Sequence, residues 1–357
     1  MNIHWRLTLA LAAAFVITGC QSIGTGSVQR DRIGYADALG TSWKEQTLLN
    51  IVKLRYLDTP VFLDVSSVIS SYELASQVNF TSNIFPRAST SNNQAFGATG
   101  TYTDKPTVSY TPITGERYMN GLIRPIPPQA IFAMIESGHP ANLVLRVTSR
   151  AINGVYNYSA SQTRSRAADP TFQMVIDAIR GIQQEGALSV RIEKRDGQEL
   201  TYVGFLHNGD EDVEKNISVV KDKLGINPNN DELLLVFGAR QHSPAQIALL
   251  TRSVQEILSE FSVGVEVPEG DLTEGRATRI MRIDSVAGSP NYPLMRIQSS
   301  SEQPTDAYAS VPYRNRWFWI DDRDLNSKRM FMFLTVFSAL AETGTAPQIP
   351  LITIPAR

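Results

Sequence analysis

The strongest constraint in this sequence is an uncharged apolar segment near its beginning, which leads directly to the chain's single cysteine. Residues 7–18 carry no charge and follow Arg6, so a short basic region precedes an apolar one, as in a secretory signal. The apolar run is shorter than the ~20 residues that a helix needs to cross the hydrocarbon of a bilayer. Because Cys20 is the only cysteine, no internal disulfide can form, and we expect its thiol to be reactive, intermolecular or modified.

The residues Ile17-Thr18-Gly19-Cys20 resemble the lipobox of bacterial lipoproteins, in which small residues precede an obligatory cysteine. The resemblance implies that residues 1–19 are removed as a signal peptide and that the Cys20 thiol carries a diacylglycerol. Each buried methylene of such a lipid contributes ~0.8 kcal/mol, and two or more chains anchor a protein firmly. Gln21, in the place where an aspartate would signal retention, implies the periplasmic face of the outer membrane. An ordinary cleaved signal and an uncleaved signal anchor are the alternatives.

The net charge of the chain indicates which class of partner it can bind. The formal net charge is −2, from 33 basic and 35 acidic residues. Loss of residues 1–19 removes one basic residue, Arg6, which leaves 33 − 1 = 32 basic residues against 35 acidic ones and a net charge of −3. A general nucleic-acid binder shows a strong basic excess instead. We therefore expect the membrane as a partner, through the lipid on Cys20, together with an envelope protein and no nucleic acid.

The length and the pattern of the mature chain indicate two domains. The chain has 357 residues, of which 42% are hydrophobic, and domains average ~150 residues. We expect a flexible tether over 20–34, an N-terminal α+β domain over 35–160 and a C-terminal α+β domain over 161–357. The polar segment 156–168 is the predicted boundary between the two domains.

Apolar residues at helical spacing alternate with strand and hairpin patterns along the mature chain. The predicted helices cover 35–56, 128–137, 141–153, 170–182, 213–224, 243–261 and 330–340. The predicted strands cover 61–65, 72–80, 188–192, 200–203, 233–237 and 317–320, with hairpin turns at Asp196-Gly197 and over 288–291. This arrangement predicts an α+β fold with a mainly antiparallel sheet, hairpins and amphipathic helices, in two subdomains.

The segment 81–111 differs in composition from its surroundings. Serine, threonine, asparagine and glycine dominate it, and its only charged residues are Arg87, Asp104 and Lys105. It is either a long mobile loop or a pair of weak strands with a disordered tip, and a loop of this length in a compact body is often functional.

Four residues near the C-terminal end combine cations with aromatic rings and form the candidate binding surface: Arg314, Arg316, Trp317 and Trp319. Such a strip can stack on sugars or bind a protein partner. The alternative, which we favour because aromatic residues are good strand formers, is an ordinary strand with both tryptophans toward the core and Phe318 outward.

The remaining chemistry-bearing residues predict no catalytic, metal or cofactor site. The histidines of the mature chain, His139, His207 and His242, are far apart in sequence, and no zinc-binding motif accompanies them. The acidic runs over 210–212 and 321–324 precede predicted helices, where carboxylates cap and complement the helix dipole. Ser218 and Lys221 match the Ser-x-x-Lys spacing of penicillin-binding enzymes, but the companion motifs are missing.

The phrases SWKEQTLLNIVKLRYLDTPVFLDV, PTVSYTPITGERY and RWFWIDDRDLNSKRMF resemble an uncharacterised family of proteobacterial envelope lipoproteins. The resemblance implies no activity and no site residues. We expect a non-catalytic scaffold or accessory subunit that is anchored through Cys20. A cell-wall glycan or small-ligand binder is the second hypothesis, and a hydrolase with a dispersed site is the third.

Overall fold

The computed structural model describes residues 25–69, 72–83, 93–104, 107–161, 164–279 and 293–341. Cys20, the signal peptide and the hairpin predicted over 288–291 lie outside the described residues. Contacts within the chain separate two compact units. The first holds the described residues up to Pro60 and from Met119 onward, and the second holds Val61–Tyr118. The boundary predicted over 156–168 falls inside the first unit.

Seven helices of eight or more residues lie in the described chain, all of them in the first unit. They are α1 (Thr25–Arg55), α2 (Pro128–Glu136), α3 (Ala141–Thr148), α4 (Pro170–Gln184), α5 (Glu211–Lys223), α6 (Val254–Ser262) and α7 (Leu325–Ala341). Three shorter helical segments cover Gly115–Tyr118, Met119–Ile123 and Glu269–Thr273. None of the helices in the described ranges has both the length and the hydropathy needed to cross a bilayer.

The strands fall into several sheets that are mainly antiparallel, and this confirms the predicted α+β fold. The second unit contains β1 (Leu63–Ile69), β2 (Tyr72–Asn83), β3 (Asn93–Asp104) and β4 (Thr107–Pro112). The first unit contains β5 (Ser149–Ile152), β6 (Val155–Tyr156), β7 (Ser159–Ser161), β8 (Arg164–Arg166), β9 (Leu188–Arg195), β10 (Gln198–Phe205), β11 (Glu232–Phe237), β12 (Gln246–Thr251), β13 (Gln298–Ser300), β14 (Ala307–Tyr313) and β15 (Arg316–Asp321).

The first unit is built on a six-stranded sheet in the order β6-β5-β12-β11-β10-β9. Its neighbouring strands are antiparallel except β11 and β12, which are parallel. The predicted Asp196-Gly197 turn joins β9 to β10, and its two residues have φ of 52° and 79°. Positive φ at both positions is what a two-residue type I′ turn requires, and Asp-Gly adopts it readily.

The helices of the first unit bury one face each, as their apolar spacing predicts. In α1 the residues Leu48, Ile51 and Val52 are 0% exposed. This helix begins at Thr25 rather than at Tyr35, so it includes residues 25–34 of the predicted tether.

The start of α4 follows the predicted capping pattern. Pro170 occupies the first turn, and the carboxylate of Asp169 accepts a hydrogen bond from the N–H of Thr171 at 3.0 Å. The apolar stripe of this helix is buried, from Phe172 to Ile182. A cap and an amphipathic stripe that agree in register therefore fix both the start and the orientation of the helix.

The helix predicted over 243–261 is wrong in its first half. Residues Gln246–Thr251 form β12, between β11 and β5 in the middle of the sheet. A continuous apolar run fits a buried strand as well as a helix, and here two neighbouring strands complete its backbone hydrogen bonds. Helix α6 begins at Val254, where Ser253 and Glu256 form a capping box.

The helix predicted over 141–153 is also too long, because α3 ends at Thr148 and the chain continues as β5. The Thr148 hydroxyl donates to the carbonyl of Val144 at 2.7 Å, and the Ser149 hydroxyl donates to the carbonyl of Leu145. Beyond this point the backbone of β5 pairs with β12 instead. Pairing in the sheet therefore overrides the helical spacing.

A three-stranded sheet in the order β13-β15-β14 forms a second part of the first unit. Its central strand, β15, was predicted over 317–320. One face of this sheet lies against the end of α1, where the rings of Tyr56 and Phe318 have centroids 6.1 Å apart. Helix α7 packs nearby, and its Phe331 contacts Trp43 of α1 edge to face at 5.7 Å.

The second unit is built on a long antiparallel hairpin. Strand β1 pairs with β4, and β2 pairs with β3 along all 12 residues of each strand. The pairing that reaches Ile69↔Thr107 resumes at Tyr72↔Asp104 in the same register, three residues farther along each strand. The segment 81–111 therefore forms strands wherever the structure describes it, and the mobile-loop alternative is wrong there.

Candidate functional site

The candidate surface predicted from the sequence lies on the hairpin of β14 and β15. Tyr313 pairs with Arg316, so the connection is a two-residue turn made of Arg314 and Asn315. Both turn residues have positive φ, 49° and 61°. Arginine in this conformation is uncommon and costs of order 1 kcal/mol, so the surroundings must hold it.

Two tyrosine rings hold the turn. The guanidinium carbon of Arg314 lies 5.0 Å from the ring centroid of Tyr56 and 5.5 Å from that of Tyr313. The two rings themselves meet edge to face at 5.3 Å. Cation–π contacts of this kind contribute ~0.5–1 kcal/mol at exposed sites, comparable to the backbone cost of the turn.

The tyrosine hydroxyls are also fixed by carboxylates. The Tyr56 hydroxyl donates to Asp271 at 2.6 Å, and the Tyr313 hydroxyl donates to Asp58 at 3.0 Å. Burial, with the hydrogen bond to Asp271 second, raises the pKa of Tyr56 well above its usual range. Its phenol therefore stays protonated at neutral pH, and Arg314 lies over neutral rings.

The facing of the two tryptophans is opposite to the prediction. Phe318 and Ile320 are 0% exposed and lie toward α1, whereas Trp317 and Trp319 are only partly buried. Val311 of β14, which pairs with Phe318, is likewise buried. The expectation that the tryptophans face the core and Phe318 faces outward is therefore wrong, because the covered face of this sheet is the one against α1.

Small and polar residues surround the tryptophans on their face of the sheet. By register, Trp317 lies between Ser300 and Pro312, and Trp319 lies between Gln298 and Ser310. We call this surface the tryptophan face, and its members are Gln298, Ser300, Ser310, Pro312, Trp317 and Trp319. Since the two tryptophans are two residues apart on one strand, their Cα atoms are separated by roughly 7 Å.

Two nitrogen atoms of this hairpin are buried without an acceptor. Within the described part of the chain, neither Trp319 Nε1 nor Arg316 Nε has a hydrogen-bond partner. Buried donors are nearly always satisfied, by protein, by ordered water or by a ligand. The Trp319 indole N–H is thus an unsatisfied donor with almost no accessible surface.

The structure does not bring the four predicted residues into one strip. Trp317 and Trp319 share the tryptophan face, whereas Arg316 has the parity of the covered face and Arg314 lies in the turn against tyrosines. The sequence predicted the tryptophans as surface candidates, but the roles of Tyr56 and Asp58, which are distant in sequence, carried no local signal. Cys20, the predicted lipidation site, lies outside the described residues.

The acidic runs act as helix caps, as predicted. Asp324 accepts from the N–H of Ser327 at 3.0 Å at the start of α7. Asp210 accepts from the N–H groups of Asp212 and Val213 at the start of α5. Lys221, half of the Ser-x-x-Lys match, is buried and donates to Asp231 at 2.6 Å.

A charged cluster that the sequence did not predict surrounds His207. Its Nδ1 lies 2.6 Å from Glu214 and its Nε2 lies 2.9 Å from Asp231, which also accepts from Lys221. Hydrogen bonds to Asp231 first and Glu214 second raise the pKa of His207 above its ordinary value. The partners are 7 and 24 residues away, so no local motif reports the cluster.

An open polar cavity of about 500 Å³ lies where the turn after β5 meets the connection from β11 to β12. Arg240 and His242 line it beside Asn153, Gln241 and Ser243, and none of its lining residues is a carboxylate. The convergent carboxylates expected of a hydrolase are therefore not found in this cavity. Over the described ranges, no group of three or more histidine, cysteine, aspartate or glutamate side chains could hold a metal ion.

Comparison with known proteins gives no match: none is found among family models, curated proteins or solved structures.

Proposed function

We propose that this chain is a lipid-anchored envelope protein that docks a protein partner at the periplasmic face of the outer membrane. The lipid on Cys20 supplies the anchor, and the tryptophan face supplies the docking surface. The role is that of a scaffold or accessory subunit and needs no cofactor. The anchor rests on the sequence of residues 7–20, and the docking surface rests on the geometry of the β14–β15 hairpin.

The outward facing of Trp317 and Trp319 is the observation that supports docking most. Tryptophan is among the residues most enriched in the energetically dominant positions of protein interfaces, where truncation costs ~2 kcal/mol or more. A partner that covers this face would bury the exposed parts of two large rings.

The anchor is tested by intact-mass analysis and membrane fractionation of the mature protein. We expect the wild type to begin at Cys20, to carry the mass of a diacylglycerol and acyl chain, and to fractionate with the outer membrane. The Cys20→Ser variant is expected to lose both the added mass and the membrane association. A soluble wild-type product with an unmodified thiol would contradict the proposal.

The docking surface is tested by site-specific photocrosslinking in cells. A photoreactive residue at Ser310, inside the tryptophan face, is expected to capture an envelope protein. The same residue at Ile192, which is 63% exposed on β9, is the matched control and is expected to capture none. The Trp319→Ala variant should then bind the captured protein ~30-fold more weakly, equivalent to ~2 kcal/mol. Equal capture from both positions, or none from Ser310, would contradict docking at this face.

A cell-wall glycan is the second candidate for the same face. Ser300, Ser310 and Gln298 stand beside the indoles by register, so hydrogen-bonding groups flank two stacking surfaces. A pull-down on purified peptidoglycan separates the candidates: retention lost in Trp319→Ala but kept in Ile192→Ala would favour the glycan. Absence of retention in the wild type would leave the protein partner as the proposed ligand.

A further inference from the structure

Two connections of the six-stranded sheet line the open polar cavity of the first unit. Strands β11 and β12 are parallel neighbours, so residues 238–245 return the chain from the end of one strand to the start of the next. The turn between β5 and β6 consists of Asn153 and Gly154, with φ of 48° and 86°. The cavity that they line has a volume of about 500 Å³, within the ~300–1,000 Å³ typical of small-molecule sites.

The lining of this cavity is cationic, although the whole chain has a net charge of −2. Arg240 lines it together with polar and small residues and no carboxylate. Other arginines of the first unit pair with carboxylates, as Arg191 does with Glu232 and Arg323 with Asp306. Within the described chain, no ion pair involves Arg240. Its guanidinium therefore attracts an anion from solution.

The side chain of Arg240 packs against the turn on the other side of the cavity. A Cβ atom at Gly154 would lie 3.4 Å from both Cγ and Nε of Arg240. The absence of a side chain at Gly154 thus leaves the space that the arginine stem occupies. Because this contact restricts the stem before a ligand arrives, binding costs less side-chain entropy than it would at a free surface arginine.

The backbone of the connection from β11 to β12 is fixed by hydrogen bonds of its own. The N–H of His242 donates to the side-chain oxygen of Gln246 at 3.1 Å. The N–H of Ala245 donates to the hydroxyl oxygen of Ser243 at 3.3 Å. His242 and Ser243 both line the cavity. Their positions are therefore set by the fold and need no ligand to form.

Helix α5 ends beside the cavity, and the partial negative charge of a helix C-terminus disfavours an anion. Two amide side chains offset this effect. Gln241 Nε2 donates to the carbonyls of Leu224 at 2.9 Å and Gly225 at 3.1 Å. Asn153 Nδ2 donates to the carbonyl of Leu224 at 3.0 Å. The carbonyl oxygens at the helix end are thereby engaged by protein donors.

Three donor groups on one connection fit a phosphate better than a carboxylate. Arg240 carries five N–H donors, and the imidazole of His242 carries at least one N–H in either tautomer. The Ser243 hydroxyl oxygen accepts from Ala245, and its hydrogen has no acceptor among the described residues. A phosphate presents oxygens in tetrahedral directions, whereas the two oxygens of a carboxylate lie in one plane. Donors from three side chains therefore match the phosphate.

We propose that this cavity binds a small phosphorylated molecule. Arg240, His242 and Ser243 hold the phosphate group, and the rest of the molecule occupies the polar cavity beside Asn153 and Gln241. The site is separate from the tryptophan face and from the lipid on Cys20. It is therefore a second activity beyond the proposed docking function, and it can fail or succeed independently of that function.

The test is isothermal titration calorimetry of the purified, full-length mature chain in detergent and phosphate-free buffer. The probes are inorganic phosphate, glycerol 3-phosphate, acetate and glycerol. We expect saturable binding of glycerol 3-phosphate with a Kd of ~1 mM or below, weaker binding of inorganic phosphate and no binding of glycerol. Acetate is expected to bind at least ~10-fold more weakly than glycerol 3-phosphate, because it carries a single charge on two oxygens.

Each departure from this order contradicts a part of the proposal. No saturable binding of either phosphate probe would overturn it. Acetate that binds as tightly as glycerol 3-phosphate would overturn the assignment of a phosphate. Inorganic phosphate that binds more tightly than its glycerol ester would overturn the assignment of a larger phosphorylated molecule.

A matched pair of variants separates a built site from general charge attraction. Arg240→Gln is expected to weaken glycerol 3-phosphate at least ~10-fold, because it removes a charge-assisted hydrogen bond. Arg195→Gln removes the same charge from an exposed position of β9 that does not line the cavity, and it should bind as the wild type does. Thermal unfolding without a probe checks that both variants fold. Equal weakening in the two variants would overturn the proposal.

Hydrogen–deuterium exchange of the wild type locates the site without any substitution. Saturating glycerol 3-phosphate is expected to slow exchange in residues 238–245 and to leave the Asp196-Gly197 turn unchanged. This readout decides the question even if Arg240→Gln does not fold. Slower exchange elsewhere, with residues 238–245 unchanged, would overturn the assignment of the cavity.

Discussion

The hairpins β9–β10 and β2–β3 are both antiparallel and closely paired. Among the described residues, only the first is flanked by a further strand. Strand β10 buries Thr201, Val203 and Phe205, and its outer edge is covered by β11. Strands β2 and β3 have each other as their only strand partners among the described residues. An isolated two-stranded hairpin is marginally stable in water, so the first hairpin draws its stability from its own unit. The second has no third strand beside it within the described residues.

The largest expected effect comes from a core substitution in the β9–β10 hairpin, compared with a substitution at an exposed position of the same hairpin. Phe205 is 4% exposed, and Phe205→Ala is expected to lower the free energy of unfolding by ~4 kcal/mol, because it leaves a cavity in the core. Ile192→Ala in β9, at a position that is 63% exposed, is the control and is expected to cost less than ~0.5 kcal/mol. Urea unfolding followed by tryptophan fluorescence measures both, since Trp43, Trp317 and Trp319 lie in the first unit. Equal losses in the free energy of unfolding of the two variants would contradict this expectation.

In the first unit, a buried ion pair between Arg252 and Glu260 finds its hydrogen-bond partners within the same unit. Arg252 is 3% exposed and donates to the carbonyls of Arg146, Val147 and Tyr158 at 2.7–3.0 Å, with Glu260 3.8 Å away. Arg252→Met is expected to cost ~3 kcal/mol, because it leaves the Glu260 charge buried without this partner.

The double variant Arg252→Met/Glu260→Met sharpens that prediction in a double-mutant cycle. Removing both charges should cost less than the sum of the two single variants, measured by urea unfolding. Additive losses would show that the Arg252–Glu260 pair is not coupled.

A helix cap in the first unit has a smaller expected effect. Asp210 accepts from the N–H groups of Asp212 at 2.9 Å and Val213 at 3.1 Å, so Asp210→Ala is expected to cost ~1 kcal/mol. Asp222→Ala, at an exposed position of the same helix, is the control and should cost less than ~0.5 kcal/mol. Thermal unfolding of the two variants side by side distinguishes a capping effect from a general effect of lost charge.

The smallest effect is expected from the His207 cluster and depends on pH. The folded pKa of His207 is raised, so its pairs with Asp231 and Glu214 stabilise fully below the ordinary pKa of ~6.5. That contribution is lost as the pH rises through the raised pKa. The pKa of Asp231 is lowered by Lys221 first and His207 second, so its own contribution is lost only as the pH falls through that lowered pKa.

Unfolding of the wild type and of His207→Gln between pH 5 and 9 measures this contribution. The difference between the two proteins should be greatest at the acid end and shrink as the pH rises. A difference that grows with pH would contradict the assigned direction.

Local signals in the sequence predict the parts of the fold that local physics decides. The Asp196-Gly197 turn, the Asp169 cap and the amphipathic stripe of α4 need only neighbouring residues, and the structure confirms them. The capping box of Ser253 and Glu256 was also readable, and it would have placed the start of α6 correctly. The run over 246–251 was ambiguous because only its neighbours in the sheet decide that it is a strand.

The candidate site was predictable only in part, because the facing of β15 depends on a distant helix. Aromatic residues over 317–320 predict a strand, but the contact of Tyr56 with Phe318 decides which face is covered. The tyrosine support of Arg314 likewise joins residues that lie far apart in sequence. The even-numbered apolar positions of β2 were visible as alternation, whereas their register with β3 required the structure.

The most direct test of this contrast is hydrogen–deuterium exchange of the mature protein in buffer. We expect β10 amides to be protected from exchange, because β9 and β11 pair with both edges of this strand. Amides of β2 and β3 that are not bonded between these two strands should exchange faster, because no further strand pairs with either edge among the described residues. Protection of those β2 and β3 amides equal to that of the β10 amides would contradict the account.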